Sequence, residues 1–193
     1  MSVDDRIRLF KTDLPAQSES TVVQRHITHG ECFSISPDAY FSLKARVAQQ
    51  FDIHPSEVIV VGSAKLGFSI APDKRYRPFG ETSDIDVALC SGSLFDAFWK
   101  DVFDYWARGE IWSGLPDFRK YVFRGWMRPD KLPPTGSFNR SREWWEFFRS
   151  LTSSGDYGPY KITGALYKSW HFLESYQLKC VRGCKASEQE VVQ

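Results

Sequence analysis

Two short stretches decide how this chain is read: Glu57-Val58-Ile59-Val60-Val61-Gly62-Ser63 and, after a polar spacer, Ser83-Asp84-Ile85-Asp86-Val87-Ala88-Leu89. The first is a continuous β-branched run that stops abruptly at Gly62-Ser63. Such a run predicts a strand buried on both faces, and hence a central one. The second alternates acid with apolar from Asp84 to Val87. A strand there sends Asp84 and Asp86 to one face, about 7 Å apart. Between them Ala71–Ser83, with Pro72, Lys74, Arg75, Arg77, Pro78 and Gly80, reads as a loop.

Working outward, Ser36-Pro37-Asp38 is a helix start, and Tyr40, Leu43, Val47 and Phe51 recur at helical steps, predicting a helix over 39–51. Ser93 and Asp96 read as a capping box opening a helix to about Arg108, with Phe95, Phe98, Trp99, Val102, Phe103 and Trp106 on a wide apolar face. Further helices are expected from Leu115 to Met127, from a cap at Ser141 through Trp144, Trp145, Phe147, Phe148 and Leu151, and from Trp170 to Val181. Lys161 to Tyr167 reads as a late strand, and residues 128–134 as a rigid linker. The first thirty or so residues show little periodicity and read as an extended arm, with Val22-Val23 as an edge strand. The expected division is an arm over 1–35, one α+β domain with a helical, aromatic-rich second half over 36–186, and a flexible tail over 187–193.

Composition narrows the classes. The chain has 193 residues, 42% hydrophobic and 25% charged, which excludes a disordered or collagen-like polymer. A formal charge of +1 removes the case for a protein that coats nucleic acid or an anionic membrane, so any such contact is local. No apolar run approaches the roughly 18 residues of a membrane span, and the opening MSVDDRIRLFKTD mixes charges, so a soluble, cytoplasmic protein without membrane contact is expected. Cys32, Cys90, Cys180 and Cys184 form no C-x-x-C pair and read as free thiols. Fifteen Phe, eight Tyr and seven Trp imply a thick aromatic core or a stacking surface.

The chemistry lies in the two opening stretches. Glycine lets backbone approach a polyphosphate without a β-carbon in the way, and the Ser63 hydroxyl with the amides that follow it donates hydrogen bonds to phosphate. Two carboxylates on one strand face hold a hard cation such as magnesium, which takes one or two protein carboxylates plus phosphate oxygens.

On these residues the chain resembles the nucleotidyltransferase superfamily related to DNA polymerase β, whose signature is hydrophobic-Gly-Ser, a spacer, then acid-hydrophobic-acid. Here it reads Val61-Gly62-Ser63 and Asp84-Ile85-Asp86, within a window of about 39–108. The resemblance implies a polymerase-β-like core, a short mixed sheet flanked by helices, and transfer of a nucleoside monophosphate from a nucleoside triphosphate such as ATP to a hydroxyl of RNA or protein. It implies Asp84 and Asp86 as catalytic ligands of Mg2+ or Mn2+, and Gly62, Ser63 and Lys65 as nucleotide-binding residues. Small stand-alone members include aminoglycoside-modifying enzymes and components of toxin–antitoxin and anti-phage loci, where a protein partner comes from the same locus.

Two departures stand out. The spacer Ala64–Ser83 is 20 residues, long for the family, and carries the basic loop around Lys74, Arg75 and Arg77. Family members normally place a third carboxylate on a later strand, yet 161–167 holds no acid, leaving Asp117, Glu143, Asp156 and Glu174 without a strand context. A catalytically degenerate nucleotide-binding or partner subunit is the alternative. His26, His29 and Cys32 have metal-like spacing but no evident fourth ligand, and Cys180 with Cys184 reads as a buried thiol pair. Core packing is the better account of the aromatic stripes, and a solvated face that of Arg119, Lys120, Arg124 and Arg128.

Overall fold

The computed structural model describes residues 1–192, with side chains to residue 188. Four strands, β1 Val58–Val61, β2 Ile85–Cys90, β3 Trp126–Met127 and β4 Ile162–Tyr167, form one sheet in the order β1-β2-β4-β3. β1 runs antiparallel to β2, β2 parallel to β4, and β3 antiparallel to β4. Eight α-helices are described: α1 Val3–Ala16, α2 Glu19–Val23, α3 Pro37–Phe51, α4 Gly62–Leu66, α5 Gly92–Ala107, α6 Leu115–Phe123, α7 Asn139–Ser154 and α8 Trp170–Val192. The fold is α+β, a small mixed sheet flanked by helices.

β1 is therefore an edge strand, not the central one its sequence predicts. All four of its residues are nonetheless buried. Val58 and Val60 pack with Leu43 and Val47 of α3 on one face, and Ile59 and Val61 pack with the amino-terminal segment on the other. A continuous apolar run reports cover on both faces, and here helices supply that cover at the sheet's rim.

The two faces of the sheet carry different cores. Val58, Val60, Ile85, Val87, Leu89, Ile162 and Leu166 meet α3, α5 and α7 through Phe95, Phe98, Trp144 and Phe148. Trp144 holds this packing together, with ring centroids 4.9 Å from Phe51, 5.8 Å from Phe98 and 5.0 Å from Phe148. Gly164 of β4 lies under Phe148, whose Cζ would stand 2.2 Å from any β-carbon placed there. The opposite face, with Ile59, Val61, Ala88, Cys90 and Tyr167, is roofed by Phe10, Leu14, Val22, Val23, Ile27 and the α8 residues Leu173 and Val181.

That roof corrects the reading of the amino-terminal arm. Residues 3–16 and 19–28 are helical, in α1, α2 and a single π-turn at Gln24–Thr28, and Val22-Val23 forms no strand. Ser2 and Ser18 cap α1 and α2 by accepting from Asp5 N and Thr21 N at 3.2 and 3.1 Å. Phe10 and Leu14 lie one helical turn apart and are fully buried, as are Val22, Val23 and Ile27. The polar run Gln17–Thr21, which spans the break at 17–18 and the first turn of α2, interrupts the periodicity that would have announced these helices.

Other boundaries shift for local reasons. Ser36 caps α3 as expected, accepting from Ala39 N at 3.2 Å. The capping box at Ser93 does not form: α5 starts at Gly92, and Asp96 is taken by Lys168 at 2.5 Å. α6 stops at Phe123, and Trp126-Met127 pairs with β4 instead of extending the helix. Ser141 donates to the Pro133 carbonyl at 2.6 Å rather than capping α7. α8 continues past Val181 to Val192, with Ser187 donating to Gly183 O at 2.9 Å and Tyr76 donating to Glu188. Residues 187 and 188 are thus tied into helical structure where a frayed tail was expected, and Gln193 lies outside the described residues. No described helix is long and apolar enough to cross a membrane.

Candidate functional site

The register of the sheet brings the two sequence stretches together. Val61, the last residue of β1, pairs with Asp86 of β2, so Gly62 begins α4 beside that carboxylate. Gly62 has φ +67, and a β-carbon built on it would lie 3.2 Å from Asp86 Oδ2. The missing side chain keeps the space in front of Asp86 open, and the positive φ is one that glycine adopts without penalty. Ser63 follows on the first turn of α4, half-buried, with its carbonyl accepting from Gly67 N at 2.8 Å.

On the other side Asp86 pairs with Thr163 of β4, whose hydroxyl donates to Asp86 Oδ1 at 2.8 Å. Asp84 lies just before β2, 4.0 Å from Lys161 Nζ, and the pairing with β4 extends beneath it through Ile85 N to Lys161 O at 2.8 Å. Desolvation holds the Asp86 carboxyl above the usual carboxylate range; the Asp84 charge adds to this, while the Thr163 hydrogen bond and Lys161 oppose it. Negative charge on Asp86 is thus costly.

Alternate residues of β4 carry the same sheet face away from Thr163 to Tyr167. Tyr167 stacks on Trp126 with centroids 5.6 Å apart and planes 8° from parallel, and Tyr176 of α8 lies 5.2 Å from Trp126. Burial raises both tyrosine hydroxyls, and the Asp86 charge contributes to each shift. Sequence reasoning missed this aromatic wall. Its only advance signal was the two-residue period 163, 165, 167 on a strand already predicted.

Lys65 does not join the acid pair. It is 1% exposed, its Nζ donates to Gly30 O at 2.5 Å and stands 5.7 Å from the Tyr40 ring centroid, and burial pushes its pKa down to about 8. At 3.6 residues per turn, position 65 is rotated about 200° from position 63, which turns it to the far side of α4. The spacer loop is itself folded: Phe79 N donates to Gly67 O at 2.8 Å and the Phe79 ring packs 4.7 Å from Tyr160, with Lys74 and Arg77 exposed.

The third-acid candidates are engaged elsewhere or lie on helices. Asp117 pairs with Lys131 at 3.4 Å and Asp156 with Arg46 at 2.8 Å, while Glu143 and Glu174 are on α7 and α8. Thr163 occupies the position beside Asp86 where a late-strand carboxylate was sought. Among the described residues no group of three or more His, Cys, Asp or Glu is placed to hold a metal. The acid pair could still hold one hard cation: a β-carbon-free approach lies in front of Asp86, and a positive charge there would offset the desolvation of Asp86.

The remaining motifs separate. His26 meets Asp13 at 2.7 Å, His29 Nδ1 lies 3.1 Å from Gln24 O, and Cys32 donates to Ala64 O at 3.3 Å. Cys184 lies 3.7 Å from the Tyr76 hydroxyl. Trp144 is core, whereas Trp99, Phe103 and Trp106 are 50%, 54% and 42% exposed, with Arg119 stacked 5.8 Å over Trp106. Arg128 leaves the basic run to pair with Asp130 at 3.0 Å.

Comparison with protein-family models, curated proteins and solved structures finds no match to this chain.

Proposed function

We propose that the chain is a metal-dependent nucleotidyltransferase with a polymerase-β-like core, moving a nucleoside monophosphate from a triphosphate to a hydroxyl of RNA or protein. The observation that carries this reading is the Val61–Asp86 pairing, which seats Gly62 3.2 Å (measured to its would-be β-carbon) from the Asp86 carboxylate. Gly-Ser and Asp-x-Asp are 20 residues apart in sequence yet adjacent in space.

In this reading Asp84 and Asp86 hold one Mg2+ or Mn2+, which when bound supplies Lewis-acid polarisation of the α-phosphate and neutralises charge on the leaving group. Ser63 donates its hydroxyl to a phosphate oxygen, and Gly62 leaves room for that oxygen beside Asp86. Thr163 fixes the Asp86 carboxylate through its hydrogen bond, and Lys161 holds Asp84 at the rim. The acceptor oxygen forms its bond to the α-phosphorus, the α–β bridge breaks, pyrophosphate leaves with the electron pair, and the acceptor proton passes to solvent. Lys65, buried behind α4, has no part in this.

Thr163 beside Asp86, in place of an acid, favours a second reading in which the site binds nucleotide without turning it over. Incubation with Mg2+ or Mn2+, each α-labelled nucleoside triphosphate, total RNA and lysate protein separates the two. Label in RNA or protein that is lost in Asp84→Ala and Asp86→Ala supports transfer. Saturable nucleotide binding without label supports the degenerate subunit, and neither binding nor label removes both.

A further inference from the structure

A cavity lies at the end of α4, beside Leu66. The segment Cys32–Ser34 crosses the end of α4, where Phe33 N and Ser34 N donate to the carbonyls of Lys65 and Ala64 at 3.2 and 3.0 Å. Arg6 of α1 donates through Nη1 to the same Lys65 carbonyl at 3.2 Å and lies 5.3 Å over the Phe33 ring. Its buried Nε–H has no hydrogen-bond partner among the described residues. Such an orphaned donor costs about 1–3 kcal/mol, a cost that an acceptor oxygen would remove.

Arg6 lines a half-open cavity of about 160 Å³ together with Arg25, His26, His29 and Glu31. The nearby buried carboxylate, Asp13, is already divided between Arg25 at 3.2 Å and His26 at 2.7 Å. Among the side chains that line the cavity, Arg6 and Arg25 face a single carboxylate, Glu31, before either histidine is counted. Both arginines present planar N–H groups that match a tetrahedral oxyanion.

We propose that this cavity is an anion site for a phosphate group, held by Arg6, Arg25 and His29. It is separate from the Asp84–Asp86 site and does not depend on any transfer activity. The chemistry is shared by free phosphate and by the phosphate of a mononucleotide.

The test is isothermal titration of the full chain, in phosphate-free buffer without divalent metal, with inorganic phosphate and separately with AMP. Saturable binding of phosphate is expected, weakened about tenfold or more by Arg6→Gln and by Arg25→Gln, and unchanged by Asp84→Ala/Asp86→Ala. Equal affinity for AMP assigns the site to the phosphate alone; tighter AMP binding assigns it to a nucleotide monophosphate. Arg6 also ties α1 to α4, so if Arg6→Gln does not fold, Arg25→Gln/His29→Gln carries the test, because both of those side chains reach solvent. Absence of saturable binding at millimolar phosphate overturns the proposal. So does binding that persists in Arg25→Gln/His29→Gln, or that disappears in the aspartate variant.

Discussion

The two faces of one sheet differ in what they ask of their residues. On the α3–α5–α7 face every β2 position, Ile85, Val87 and Leu89, is apolar and buried. On the other face the same strand presents Asp86, Ala88 and Cys90, and only the last two are buried. Adjacent residues in the chain thus belong to different economies: one side supplies burial, and the other gives up burial at a single end to hold a carboxylate. Substitutions on the two faces of this one strand should separate stability from function.

The largest effect is expected at Leu89. Leu89→Ala empties a fully buried position and should lower stability by about 2–5 kcal/mol, read as a shift of the denaturant midpoint with little change in slope. Asp86→Ala, three residues earlier on the same strand and on its other face, should leave the midpoint almost unmoved while abolishing metal-dependent nucleotide binding. A comparable loss of stability in both variants would break the distinction between the faces.

Gly62→Ala comes next. An L-residue at φ +67 costs about 1–2 kcal/mol, and here the added methyl also closes to 3.2 Å from Asp86 Oδ2. The expected result is a moderate midpoint shift with loss of nucleotide affinity greater than that shift explains. If Gly62→Ala binds nucleotide as wild type does, the space in front of Asp86 is not the phosphate approach.

How much of this was legible in sequence follows from the same contrast. The strand that ends at Gly62-Ser63 and the strand that carries Asp86 were readable because strand alternation and a glycine stop are local signals, whereas the Val61–Asp86 pairing is a long-range fact that no local signal carries. The edge position of β1 was not, since burial by helices and burial by neighbouring strands give the same apolar run. Lys65 was misplaced because nearness in sequence to Ser63 ignores the 100° that each helical residue turns. The helices at 3–28 were hidden by a polar break, and the Arg6–Arg25–His29 cavity joins residues whose nearness only that folding creates.

Lys65 gives a smaller, pH-resolved prediction. A lysine whose pKa falls from 10.5 to about 8 on folding binds fewer protons in the native state, so stability should rise as pH climbs between those values. Arg6, Lys44, Cys32 and Glu31 surround it, and Lys65→Met should flatten the slope if Lys65 is its source. Denaturation midpoints across pH 7–11 in phosphate-free buffer measure this, and an unchanged slope in Lys65→Met would assign it to a neighbour.

The smallest effect concerns Asp86 itself. Its carboxyl titrates above the ordinary range, so the native state binds more protons than the unfolded chain and stability falls as pH rises through that window. Asp86→Asn should therefore stabilise the protein slightly at neutral pH, with the gain vanishing once the pH is below the unfolded carboxylate range. Because Thr163 donates to the carboxylate, Thr163→Val should push the Asp86 pKa higher still and enlarge the difference. A divalent cation bound at Asp84 and Asp86 should do the reverse, stabilising wild type but not Asp86→Asn. If Mg2+ or Mn2+ leaves the wild-type midpoint where it was, the strain on Asp86 is relieved by something other than a metal, and the two faces differ in burial alone.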